Sequence, residues 1–221
     1  MYVNDRAVNN ISSIKATLSS FEYIDNVKYI DASAVSPWVV LDKYGVNLDN
    51  WKPYDGRTSP ALPGELGHLA STLNVFQYII DTGIDKILII EDDAVLNEFF
   101  VDNLNKCMND LPKNFDFLSL YYNKGHNQKD ERTEIGSKYI QKSLNQYSGT
   151  PAMVYTLSCA KKFIKILKRK SIEYTTDCML YKYAADGSIE GYSIIPNNLT
   201  FISHDQSLYT SIIDSKNYRN N

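Results

Sequence analysis

The chain has 221 residues, 43% of them hydrophobic, which supplies a buried core and fits one α/β domain spanning 1–221. With 23 Lys and Arg against 26 Asp and Glu the net charge is -3, which argues against duplex nucleic acid as the main ligand. Cys107, Cys159 and Cys178 show no zinc or redox spacing, the opening MYVNDRAVNN has no signal-peptide layout, and no apolar run is long enough for a bilayer, so a cytoplasmic protein with reduced thiols is expected.

In chain order, the patterning predicts a short strand at 2–4, a helix over 7–20 and a strand near 27–30. A loop-rich stretch follows with Pro37, Trp38, Trp51, Pro53, Gly56 and Pro60; the tryptophans either stack on a ligand or pack in the core. The next helix has the clearest signal. Pro63 and Gly64 open it, Glu65 suits the positive end of its dipole, and Gly83 closes it. Leu66, Leu69, Leu73, Phe76 and Ile80 recur every three or four positions as a core-facing stripe. His68, one turn inside, reads as structural.

Lys86 to Glu91 (KILIIE) is an unbroken aliphatic run, which predicts a strand covered on both faces. A helix over 97–109, strands at 115–121 and 152–156, and a helix over 159–168 capped by Ser158 come next. That helix and its end carry a basic run: Lys161, Lys162, Lys165, Lys168, Arg169 and Lys170. The run reads first as solvated side chains favouring the helix's own dipole; a surface for acidic glycans, or peripheral membrane contact, is the alternative. Residues 176–185 read as a helix, and 192–195 and 200–202 as short strands. Strands alternating with helices predict a layered α/β fold with a mostly parallel sheet. Residues 123–137 (NKGHNQKDERTEIGS) have almost no apolar content, which predicts a mobile loop.

The sharpest chemical feature is Glu91-Asp92-Asp93 at the end of the aliphatic strand. In extended chain Glu91 and Asp93 share a face and Asp92 takes the other. The carboxyl edge of a parallel sheet is where such folds bind ligands. Hard carboxylate oxygens suit Mg²⁺ or Mn²⁺, which can bridge a diphosphate. A solvated acidic turn is the plain alternative.

The segment 64–96 (GELGHLASTLNVFQYIIDTGIDKILIIEDDAVL) sets the triplet in a longer pattern. A Gly-Glu-Leu-Gly opening, a helix, a short turn and an aliphatic strand ending in Glu-Asp-Asp resemble glycosyltransferase family 25. Asn4-Asp5-Arg6, the strand from Phe115 to Leu120, the segment from Gly149 to Ala160 and Thr176-Asp177 resemble further family segments in the same order. The chain departs from that pattern with Ser71-Thr72 in place of Ser-His and with Ala7 in place of an arginine. The resemblance implies a GT-A-type, Rossmann-like fold and a nucleotide-sugar donor, UDP-galactose being the commonest. It also implies a carbohydrate-containing acceptor and inversion at the anomeric carbon.

On that footing Asp93 is the first metal-ligand candidate and His204 the second, since neutral imidazole suits Mn²⁺. Glu91 or Asp92 would hold ribose, or the metal through water. Asn4 and Arg6 would face the nucleotide or its diphosphate. Asp177, at a helix start, is the candidate base, equally readable as an N-terminal helix charge. A metal-dependent phosphohydrolase would need more ligands than the chain offers. A dehydrogenase or P-loop enzyme lacks its glycine motif. A glycan- or nucleotide-binding module without turnover is the non-enzymatic alternative.

Overall fold

The computed structural model describes residues 12–14, 16–18, 36–48, 63–91, 94–121, 136–143, 149–169, 172–173, 175–195 and 202–203. The predicted strands at 2–4 and 27–30, and residues 123–135 of the polar segment, lie outside them. Of the first predicted helix, 12–14 and 16–18 are helical, with Ile14 and Leu18 buried.

Helix α1 (Pro37–Lys43) occupies ground that reads as loop in the sequence. Pro37 sits in its first turn, where a missing N–H costs nothing. Val40 and Leu41 are buried, but Trp38 is 62% exposed and belongs to no core. Helix α2 (Pro63–Thr82) matches its expected span. Leu66, Leu69, Leu73 and Phe76 are buried along the expected stripe, which ends on Ile79 and not on Ile80, the latter being only partly buried. Gly83, at φ +70°, bonds back to the Ile79 carbonyl and ends the helix.

Strands β1 (Lys86–Ile90), β2 (Val95–Leu96), β3 (Phe117–Ser119), β4 (Ile140–Lys142), β5 (Ala152–Thr156), β6 (Gly191–Ile194) and β7 (Ile202–Ser203) alternate with helices α3 (Phe100–Asp110), α4 (Leu157–Leu167) and α5 (Thr176–Ala185). The main sheet runs β1-β5-β3-β6-β4, and β2 pairs with β7 in a separate ribbon. Only β3 and β6 are parallel; β5 lies antiparallel between β1 and β3, and β4 antiparallel to β6. The expected mostly parallel sheet is therefore corrected to a mostly antiparallel one. An apolar run reports burial on both faces and not strand direction, and β5, with Ala152 to Thr156 all buried, has such a run while lying antiparallel. Strand β1 stands at one end of the sheet, and its residues are half-exposed rather than fully covered.

Side chains alternate across the sheet and feed two cores. Phe117, Met153 and Tyr155 pack with α1, α2, α4 and α5. Leu118, Val154, Tyr192 and Ile194 pack with α3, Ile14 and Leu18. Phe76 meets Tyr155 and Phe163 edge-on, at 5.0 and 5.5 Å between ring centres, a favoured aromatic geometry. Where α5 crosses β6 the fit is close. A Cβ on Gly191 would stand 2.6 Å from Phe117 Cε1 and 2.7 Å from Ala184 Cβ.

Helix α4 begins two residues before its expected start. Thr156, not Ser158, is its cap: Thr156 Oγ1 accepts from the Cys159 N–H at 3.1 Å. All three cysteines are free and buried. No helix among the described residues is long and apolar enough to cross a membrane.

Candidate functional site

The antiparallel pairing of β1 with β5 brings the end of one strand to the beginning of the other. Ile90 faces Ala152, and Glu91 N–H donates to the Pro151 carbonyl at 2.8 Å. Residues Gly149 to Pro151 are thereby held beside Glu91. The first turns of α2 and α5 reach the same end of the sheet.

Here four side chains from four segments meet. Thr150 Oγ1 donates to Glu91 Oε1 at 2.9 Å and lies 3.1 Å from His68 Nε2. With the threonine proton committed to Glu91, the bond from His68 is satisfied by a proton on Nε2. His68 Nε2 is also 3.5 Å from Glu91 Oε1, and both side chains keep about a third of their surface exposed, 30% and 36%. Burial pulls the His68 pKa down. The hydrogen bond and charge of Glu91, joined by the charge of Asp177, more than offset this and leave it raised above the ordinary imidazole value.

Asp177 lies in the first turn of α5, and its Oδ2 accepts the Gly149 N–H at 2.7 Å. Gly149 has φ +92°, and a Cβ there would sit 3.1 Å from Tyr121 Cε1, so only glycine suits this turn. Tyr181 Oη donates to Ser119 Oγ at 2.9 Å and approaches the Gly149 carbonyl at 3.5 Å. The start of α2 is close as well: the charge of Glu65, itself buried, reaches the Cys178 thiol. Burial first, then the neighbouring Asp177 charge, pushes that thiol up to about 12. The arrangement presents one oriented carboxylate, one carboxylate tied to a threonine and a histidine, and two helix starts with their positive dipole ends.

Of the residues singled out in the sequence, Glu91 and Asp177 fall in this cluster. Asn4, Arg6, Asp92, Asp93 and His204 lie outside the described residues. Strand β1 stops at Ile90, and Ala94 N–H bonds the Glu91 carbonyl at 3.1 Å. The shared face expected for Glu91 and Asp93 depends on residues outside the described ones. Two other carboxylates near α5 are engaged elsewhere: Glu173 pairs with Lys182, and Asp186 caps the far end of α5 and accepts from Ser188 N–H. Trp38 lies on α1, and Trp51 is outside the described residues.

His68 and Thr150 are the members that sequence reasoning missed as functional. His68 stands three residues after Glu65, on the same side of α2. That spacing, beside a glycine-rich opening, is the signal that could have found it. The family model of glycosyltransferase family 25, described as an LPS biosynthesis protein, matches residues 47–180, a span that contains all four clustered side chains.

Proposed function

The chain belongs to glycosyltransferase family 25 and is a transferase of glycan biosynthesis; from that premise we propose that it moves a hexose from a UDP-sugar to a saccharide acceptor, with inversion and with Mn²⁺ or Mg²⁺ bound. A GT-A-type layering belongs to this proposal; a mostly parallel sheet does not. The observation that carries it is the convergence of Glu91, Thr150, His68 and Asp177 at one end of the sheet, two helix starts beside them.

The proposed metal ligands are Asp93 and His204, as the family resemblance implies. Carboxylate oxygen and imidazole nitrogen suit Mn²⁺. Ser203, which precedes His204, pairs with Val95, two residues beyond Asp93. A divalent ion held there would offset the charge that builds on the departing diphosphate.

The remaining roles fall to the chain itself. Glu91 and Asp92 are proposed to take the ribose hydroxyls, and Asn4 and Arg6 the nucleotide or diphosphate. Asp177 is the proposed base. Its Oδ2 is oriented by the Gly149 amide, leaving Oδ1 to take the acceptor hydroxyl proton opposite the leaving group.

The test is a melting experiment with UDP, in the presence and absence of Mn²⁺. Ligand at about 100 times its dissociation constant adds about 2.7 kcal/mol, or about 5–10 °C for a chain of this size. The shift should require the metal and vanish in Asp93→Asn, which should still fold. A metal-dependent shift that survives in Asp93→Asn would overturn the ligand assignment, and no release of UDP with any saccharide acceptor would overturn the activity.

A further inference from the structure

Outside the carboxylate cluster, the most distinctive surface is a groove of about 380 Å³ between the end of α2 and the outer side of α4, lined by Ile80, Lys161, Ile164, Lys165, Lys168 and Arg169. Ile80 and the nearly buried Ile164 form its floor. The four cations are exposed and recur at intervals of four, three and one, which places them along one side of the helix and its last turn. Lys162 is not one of them; its Nζ turns inward to Asp116 Oδ2 at 2.5 Å. None of the four cations has an ion-pair partner among the described residues, and no carboxylate lines the groove. Asp81, next to Ile80 in sequence, accepts from Gln77 Nε2.

The helix's own dipole accounts for only part of this cluster, since Lys165, Lys168 and Arg169 stand in or just past the last turn. That field favours cations within the last turn, whereas Lys161 is the fifth residue of α4, nearer its start. Four unpaired positive charges on a chain of net charge -3 are locally strong attractors for anions. The apolar floor between them suits long basic side chains that lay their stems on a greasy surface and hold their ammonium groups outward.

We infer that this groove and its cations form a contact surface for an anionic lipid bilayer. A bilayer offers anions across two dimensions, so all four cations can engage at once, and each contributes to adsorption. The four cations lie within nine residues of chain, about 12 Å of helix at 1.5 Å per residue, too short a track for extended polyanion binding of the nucleic-acid kind.

The test is sedimentation of the full chain with vesicles, either phosphatidylcholine alone or phosphatidylcholine mixed with phosphatidylglycerol. Binding is expected only to the mixed vesicles and should fade at about 0.5 M salt. Lys165→Glu combined with Lys168→Glu should weaken it by about 25-fold or more, at about five-fold per cation lost. Both side chains are exposed, so the fold should persist, with an unchanged melting curve as the check. Lys106→Glu combined with Lys113→Glu makes the same charge change elsewhere and should bind at least ten times better than the groove variant. Equal loss in the two variants would overturn the inference, because net charge and not the groove would then be responsible. Absence of binding to mixed vesicles would overturn it too, as would vesicle binding abolished by millimolar inorganic phosphate, which would mark a free-anion site. Tight binding of an oligonucleotide by a chain that ignores the vesicles would assign the surface to another polyanion.

Discussion

Asp177 holds two jobs in this reading, and two substitutions separate them. Its Oδ2 accepts the Gly149 N–H at 2.7 Å, and its other oxygen is the proposed proton acceptor. Asn at this position keeps a carbonyl oxygen for the Gly149 amide but cannot take a proton. Asp177→Asn should therefore retain donor binding and lose about 100-fold or more in turnover, equivalent to about 2.7 kcal/mol of barrier. Its stability should fall by no more than about 1 kcal/mol, the difference between a charge-assisted and a neutral hydrogen bond. Asp177→Ala removes the acceptor altogether. An amide left unpartnered in a half-buried turn costs about 1–3 kcal/mol, or about 2–12 °C in melting temperature at this chain length. The assays are UDP release with acceptor present and urea unfolding of all three proteins. If Asp177→Asn turns over normally, the base lies elsewhere. If Asp177→Ala is as stable as Asp177→Asn, the Gly149 anchor contributes nothing and the positioning argument fails with it.

Three further outcomes are expected. The His68 pKa is raised in the folded chain, so its stabilising contribution is complete below the unfolded value of about 6.5 and is lost as pH rises through the folded value. The stability advantage of wild type over His68→Gln, from urea unfolding, should shrink as pH rises above about 6.5, and a growing advantage would refute the contact with Glu91. Burial, with nearby carboxylate charge, pushes Cys107 and Cys178 up to about 12 and holds Cys159 well above its usual range. None of the three should react with a disulfide reagent at about pH 8 until the chain unfolds, and a fast-reacting thiol in the folded protein would contradict their burial. Gly191→Ala should destabilise by about 1–3 kcal/mol, because the new methyl meets the Phe117 ring and Ala184; an unchanged urea midpoint would show that the ring does not pack there.

The parts of the fold that could be read from sequence are those whose burial is set locally. Strand β5 and helix α5 occupy their expected spans, 152–156 and 176–185, and α2 shows the anticipated stripe from Leu66 to Phe76. Strand direction was not readable. Ala152 to Thr156 is buried whichever way its neighbours run, and only the pairings of Ile90 with Ala152 and Ser119 with Met153 reveal that it is antiparallel. Ile140–Lys142 escaped notice because one apolar residue in three carries no period, and the pairing with β6 makes it a strand. Pro37 reads as punctuation in a loop until the buried Val40 and Leu41 show it opening a helix. The candidate site divides in the same way. Glu91 and Asp177 announce themselves by charge and position. His68 and Thr150 lie 82 residues apart and become partners only through the β1–β5 pairing, a non-local event that no window of sequence contains.

The order of strands also bears on where this protein can be cut. The family match ends at residue 180, yet β6, at Gly191–Ile194, lies between β3 and β4 and is hydrogen-bonded to both. A fragment ending at residue 180 would split α5, strip one edge of β3 of its partner and leave β4 attached to nothing in the sheet. Exposed ladders of N–H and C=O groups are templates for pairing with another chain, so such a fragment should aggregate rather than fold. The unit that folds is longer than the segment that identifies it.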